Sequence, residues 1–340
     1  MNEKGSNTLS EANPLLEAYD LPPWSTIKPE HAFAALERVL ASNREAISCL
    51  LEQTTEPAWD SLVEPLAELA ARLERAWAPI AHLHGVDNTA EIRQVYERIL
   101  PLLTDYSTEL GQHVELYQAW SRLRESPAFD ELSPAQQQSI DHTLRDFRLS
   151  GVGLQEAQKK RFADLQQELS RLGTCFSNNV LDATKAWKLH LSEAASLAGV
   201  PDAVLATLRQ EAESRGLDGF VITLDIPSYL PVMQYAQDRS LRERLYQAYV
   251  TRASEQGPGN GCWDNSEIMV EILAARHELA LLLNYSDYTE YSLACKMAED
   301  SEQVLQFIRD LAAKARPFAL QDLADLNEFA AAEDGLESVS

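Results

Sequence analysis

The spacing of the apolar residues is the strongest constraint on this chain. Phe33, Leu36, Leu40, Ile47 and Leu50 advance by three and four residues, with one seven-residue jump across Asn43. Phe162, Leu165, Leu169, Leu172 and Phe176 step by 3, 4, 3, 4, and Ile268, Ile272, Ala275, Leu279 and Leu282 by 4, 3, 4, 3. Only a helix of 3.6 residues per turn gathers such positions on one face. A mostly α-helical fold follows.

Punctuation divides the helices. Pro29 opens the first, since a proline at the first helical position sacrifices no intrahelical bond. A second runs over about Pro57 to Leu83, where Pro65 and Pro79 predict kinks or breaks. A third covers about Thr89 to Arg124, interrupted near Pro101 and Gly111. Ser133-Pro134 starts another, which ends at Ser150-Gly151-Val152-Gly153. A long helix spans about Leu154 to Ala183, and the last about Ser301 to Ala332. Two short segments break the pattern. Trp187, Leu189 and Leu191 alternate with polar residues, and Phe220, Ile222 and Leu224 alternate with Val221 and Thr223. These predict a small β element near residues 186–191 and 219–224, of unspecified strand direction, with a helix over Pro201 to Arg215 between the strands.

Charge narrows the partners. The 340 residues carry 29 Lys+Arg against 53 Asp+Glu, a net charge of −24. Such a field repels phosphate backbones, so no nucleic acid or anionic membrane is expected as a partner. No run of 18 apolar residues is present, and Met1 to Ser10 show no apolar leader core. The cysteines, Cys49, Cys175, Cys262 and Cys295, form no C-x-x-C. Free, mostly packed thiols in a reducing cytoplasm are expected.

A search for catalytic chemistry returns little. A helical zinc site needs two His at i and i+4 with a Glu beside the first. The sole His-Glu pair is His277-Glu278, and position 281 is Leu281, which has no lone pair to offer. His82 and His84 stand two residues apart and diverge by about 200° on a helix. His31, His113, His142 and His190 are solitary, and no G-x-S-x-G is present. Gly257-Pro258-Gly259-Asn260-Gly261 is a loop, lacking the Gly-Lys-Ser/Thr that a phosphate cradle needs. It reads as a plain connection, a hinge or a loop beside a cleft. Tyr229, Tyr235, Tyr246, Tyr249, Tyr285, Tyr288 and Tyr291 crowd one stretch, as core packing or as a peptide-binding wall.

Several longer segments carry a family resemblance. They include Leu21-Pro22-Pro23-Trp24, Asp146-Phe147-Arg148-Leu149-Ser150-Gly151, and Phe176-Ser177-Asn178-Asn179-Val180-Leu181-Asp182-Ala183-Thr184. They continue with Leu224-Asp225-Ile226-Pro227-Ser228-Tyr229-Leu230-Pro231-Val232-Met233, Thr251-Arg252-Ala253-Ser254 and Arg276-His277-Glu278-Leu279-Ala280. In these the chain resembles the thimet oligopeptidase family of zinc peptidases, over about Asn13 to Ala331. The resemblance implies two helical lobes around a narrow channel that admits short peptides, in the cytoplasm. It implies zinc in the intact family, but no cofactor, catalytic or metal residue that can be carried onto this chain. The expected organisation is a disordered N-terminus at 1–12, a helical N-terminal domain at 13–185, a channel-wall continuation at 186–332 and a frayed tail at 333–340. The chain is thus expected to be the N-terminal portion of a larger enzyme, inactive without a missing C-terminal catalytic portion. The alternative is a non-catalytic helical module that binds peptides or a protein.

Overall fold

The structure, a computed structural model, describes residues 13–335 and residue 339. The expected disorder of residues 1–12 lies outside the described residues, as does most of the expected frayed tail. Thirteen α-helices and one two-stranded sheet make up the described chain. In order these are α1 (Pro29–Gln53), α2 (Glu64–Val86), α3 (Ala90–Gly111), α4 (Val114–Glu125), α5 (Pro127–Asp130), α6 (Pro134–Leu149) and α7 (Glu156–Ala186). Then come β1 (Lys188–Leu191), α8 (Asp202–Ser214), β2 (Phe220–Thr223), α9 (Ile226–Tyr235), α10 (Arg239–Val250), α11 (Ser266–Leu282), α12 (Tyr288–Leu293) and α13 (Ser301–Asp334). The fold is mostly α-helical.

Four apolar cores hold the elements that precede α13. Leu36, Val39, Ala76, Ile80 and Ile99 join α1, α2 and α3. Leu62, Leu123, Ile140 and Phe147 join a π-helical turn at Trp59–Val63 to α4 and α6. Phe162 and Leu165 of α7 meet Ala275 and Leu279 of α11. Leu208, Phe220, Ile222, Val232 and Leu245 close the sheet against α8, α9 and α10. At about 1.5 Å per residue, the 31 residues of α7 form a spine about 46 Å long. It packs against α3 on one side and α11 on another.

The jump in the α1 stripe has a structural reason. Asn43 is fully buried, and its Nδ2 donates to Leu69 O of α2 at 3.0 Å. It occupies a core position by supplying a hydrogen bond across the interface.

Three details differ from the sequence expectation. Pro101 does not interrupt its helix, because α3 runs through it and the break falls at Gln112-His113. His113 then caps α4, its Nδ1 accepting from Leu116 N at 3.2 Å. Strand β2 is buried along its whole length, Val221 included, so alternation there does not mean one wet face. The last helix extends to Asp334, two residues beyond the expected end, where Gly335 takes φ 66° as a left-handed cap. The strands pair antiparallel, Lys188 opposite Thr223 and Leu191 opposite Phe220. Gly219, at φ 90°, turns the chain into β2.

Candidate functional site

Where α1, α2, α3, α4, α6, α7 and α11 converge they leave a cavity of about 1040 Å³. Leu69, Trp77, Leu103, Trp120, Phe147 and Leu169 give it an apolar and aromatic wall. Glu74, Asp146 and Arg276 supply the charge around it. Its size and lining match concave sites that take organic ligands, with a few polar groups to fix orientation.

Helix α11 carries the sequence's one His-Glu pair. Glu278 is committed elsewhere: Arg161 of α7 donates to both its oxygens, Nε to Oε1 and Nη2 to Oε2, each at 2.6 Å. That grip holds the Glu278 carboxyl below its usual range. His277 is exposed one residue earlier, and Leu281 stands exposed at i+4. Among the described residues no cluster of three or more His, Cys, Asp or Glu could hold a metal ion. The residues present therefore do not fit a zinc site.

His82 and His84 face different partners. His82 tilts against Trp24 at 5.2 Å, while His84 stacks on Tyr96 at 3.9 Å and 12°. Burial, reinforced by the charge of Arg93, pushes the His84 pKa down. Beside it Arg93 forms two 2.7 Å bonds to Asp182, tying α3 to α7 and depressing the Asp182 pKa. Asn178 Nδ2 donates to Glu97 Oε1 across the same seam at 2.8 Å.

The tyrosines divide into packing and surface groups. Tyr229 is buried and stacks on Tyr249 at 4.2 Å, with the Arg252 guanidinium 3.8 Å from the Tyr249 ring centre. Tyr285 and Tyr288 each lie 5.6 Å from Tyr291, and burial pushes the Tyr291 phenol up to about 12. Tyr235 and Tyr246 are exposed. The cysteine expectation needs correcting: all four thiols are free, but Cys49, Cys262 and Cys295 are exposed and Cys175 is half-buried. None sits on an apolar stripe. Cys262 is in the glycine loop, and Cys295 follows α12.

Periodicity did not reveal how much of the apolar surface stays uncovered. Met269, Val270, Leu273 and Leu281 are exposed on α11. On α13, Phe307, Ile308, Leu311, Phe318, Leu326 and Phe329 are each more than half exposed. Counting apolar residues finds the helix, but it cannot say whether a neighbour covers it.

Family comparisons place these features. A model of the Neurolysin/Thimet oligopeptidase N-terminal domain matches residues 36–159, and one of Peptidase family M3 matches residues 232–340. Oligopeptidase A of Salmonella typhimurium is 48% identical over 327 residues, 96% of this chain and 48% of that protein. The chain belongs to the thimet oligopeptidase family. Oligopeptidase A of Escherichia coli is 47% identical over the same length, again covering 48% of that protein. The plant relative "Probable cytosolic oligopeptidase A" of Arabidopsis thaliana is 38% identical over 343 residues, covering 48% of its length. The chain thus spans about half the length of the oligopeptidase relatives it matches. As a thimet oligopeptidase family member it carries the seam of α3, α7 and α11 within the matched similarity. Among its described residues no helix is long and apolar enough to cross a membrane.

Proposed function

We propose that this chain is the N-terminal, channel-forming portion of a zinc-dependent oligopeptidase that degrades short peptides in the cytoplasm, and that it is inactive alone. The observation that carries the reading is the uncovered apolar surface of α11 and α13. Contiguous apolar patches on soluble monomers rarely exceed a few hundred Å². A 34-residue helix that meets α12 and is exposed along nearly all its length gains little from tertiary packing. A catalytic portion docked along these helices would bury that surface.

Within this reading residues 13–185 form one helical domain, and 186–332 continue it as channel wall. The intact family's zinc supplies Lewis-acid activation of water and of the scissile carbonyl. The residues described here do not hold it, so its ligands belong to the missing portion. This chain's share is to bind and orient the peptide and to limit its access. Names of relatives, one of them cytosolic, support the peptide substrate and the compartment. The aromatic cavity of about 1040 Å³ favours a second reading, a peptide-binding module without catalysis.

Mixing decides between the two. The purified chain and a separately produced catalytic portion of a close relative are assayed alone and together for hydrolysis of a quenched-fluorescent peptide, alongside size-exclusion chromatography. The expected result is activity in the mixture only, with a co-eluting complex. A chain that stays monomeric beside the catalytic portion, with no gain of activity, would refute the proposal.

A further inference from the structure

A second cavity, of about 370 Å³, lies where α7 ends, β1 begins and the glycine loop folds back. We propose that it binds a small carboxylate bearing one apolar or aromatic side chain, such as the C-terminal residue of a peptide. The inference concerns this chain's own residues and does not depend on the peptidase reading.

The pocket is shaped by backbone that few sequences tolerate. A Cβ on Gly257 would lie 2.7 Å from Thr251 O, and one on Gly259 would lie 2.7 Å from the Trp263 ring. Three non-glycine residues among those described have positive φ, and two are on the connection between α10 and α11 that carries this loop: Ala253 at 54° and Asn260 at 51°. For alanine this conformation is strained, and such strain gathers at ligand clamps. The loop is also tied down. Asn265 N donates to Ala253 O at 3.1 Å, closing its base. Asn265, 2% exposed, then donates from Nδ2 to Phe176 O at 3.1 Å and accepts from Asn179 Nδ2 at 2.8 Å. Both partners are on α7, so the spine fixes the loop.

The lining sets the ligand chemistry. Trp187 and Trp263 provide flat apolar walls. Lys188 is the one Lys, Arg, Asp or Glu in the lining, and its ammonium makes no hydrogen bond or ion pair among the described residues. The loop adds donors. The amides of Asn260, Cys262 and Asp264 are spent on turn carbonyls, whereas those of Gly259, Gly261 and Trp263 donate to nothing among the described residues. The three free amides alternate with occupied ones along the turn, and each leaves an N–H for an acceptor. The C-terminal pole of α7 opposes this with about half a negative charge. Lys185 in its last turn and Lys188 just beyond offset that pole. The volume is at the low end for ligand pockets, so it suits one side chain with its carboxylate.

The test is isothermal titration of the full chain with N-acetyl-L-phenylalanine, its amide and Gly-Gly-Phe. The acid is expected to bind saturably and the amide at least tenfold more weakly. Lys188→Gln should weaken the acid about tenfold and leave the amide unchanged, and Trp263→Leu should weaken both. Tighter binding of Gly-Gly-Phe than of the acetylated amino acid identifies a peptide terminus as the source. The reverse order identifies a free aromatic acid. Equal binding of acid and amide, no saturable binding of either, or an unchanged acid affinity in Lys188→Gln would overturn the proposal. Lys188 is exposed, so its variant stays informative even if Trp263→Leu unfolds, as circular dichroism would reveal.

Discussion

Arg161 and Glu278, 117 positions apart in sequence, meet in a two-pronged bridge with both oxygens at 2.6 Å. The pair links the outer edges of α7 and α11, whose inner faces share the Phe162–Leu279 core. Fork-to-carboxylate geometry favours the bond, while exposure and salt screening limit its worth. The folded Glu278 pKa is depressed, so its contribution is present above the unfolded pKa and is lost as pH falls through the folded value. Melting temperatures of wild type and Glu278→Gln should therefore differ at neutral pH and converge in acid, below the ordinary glutamate range. A gap that persists or widens in acid would contradict this.

Arg93–Asp182 is less exposed and should matter more. Asp182→Asn removes the charge and one of the two accepting oxygens, while the bonds to Asn88 Oδ1 remain. The expected loss is about 1–2 kcal/mol at pH 7, read by urea denaturation. As with Glu278, the folded Asp182 pKa is depressed, so the loss should shrink as pH falls through that value.

Tyr291 gives the opposite sign. Its phenol is raised to about 12 by burial first, then by neighbouring groups. Between its unfolded pKa of about 10 and about 12, the unfolded state loses the proton first. Stability should fall over that window, and Tyr291→Phe should flatten the fall. An absorbance titration at 295 nm should show one fewer late-titrating phenol in the variant.

Core substitutions test the packing. Ile80→Ala removes a fully buried side chain between α1, α2 and α3 and should cost about 2–4 kcal/mol. Asn43→Ala removes the second hydrogen bond to Leu69 O, which keeps its own helical donor, and should cost about 0.5–1.5 kcal/mol. A loss below about 0.5 kcal/mol for Asn43→Ala would mean that water replaces the amide.

Local signals made most helices legible. The Ser133 cap, the Pro29 start and the stripes of α7 and α11 depend on residues within a few turns of one another. Strand direction was not legible, because the crossover through α8 allows either orientation and the choice is made by packing against α9 and α10. Asn43 looked like a gap in a stripe, since sequence cannot show that a carbonyl of another helix awaits it. That position 281 holds a leucine four residues after His277 was readable from the spacing alone. The use of Glu278 as an ion-pair partner was not, because Arg161 lies on a different helix. The small pocket was half visible: its glycines marked a loop, but only folding puts Trp187 and Trp263 on the walls of one pocket.

Helix α13 has a kinetic consequence. Its 34 residues extend about 51 Å, and its hydrogen bonds have little side-chain packing to protect them. Backbone amides there should exchange with deuterium by local opening, far faster than those of α1 or α7, whose opening requires a core to come apart. A protease should find the same stretch first, and Pro317 near its midpoint leaves the turn around it one hydrogen bond short. The fold therefore ends in a lever whose order is borrowed from whatever lies against it. Its exchange rate reports directly on whether anything does.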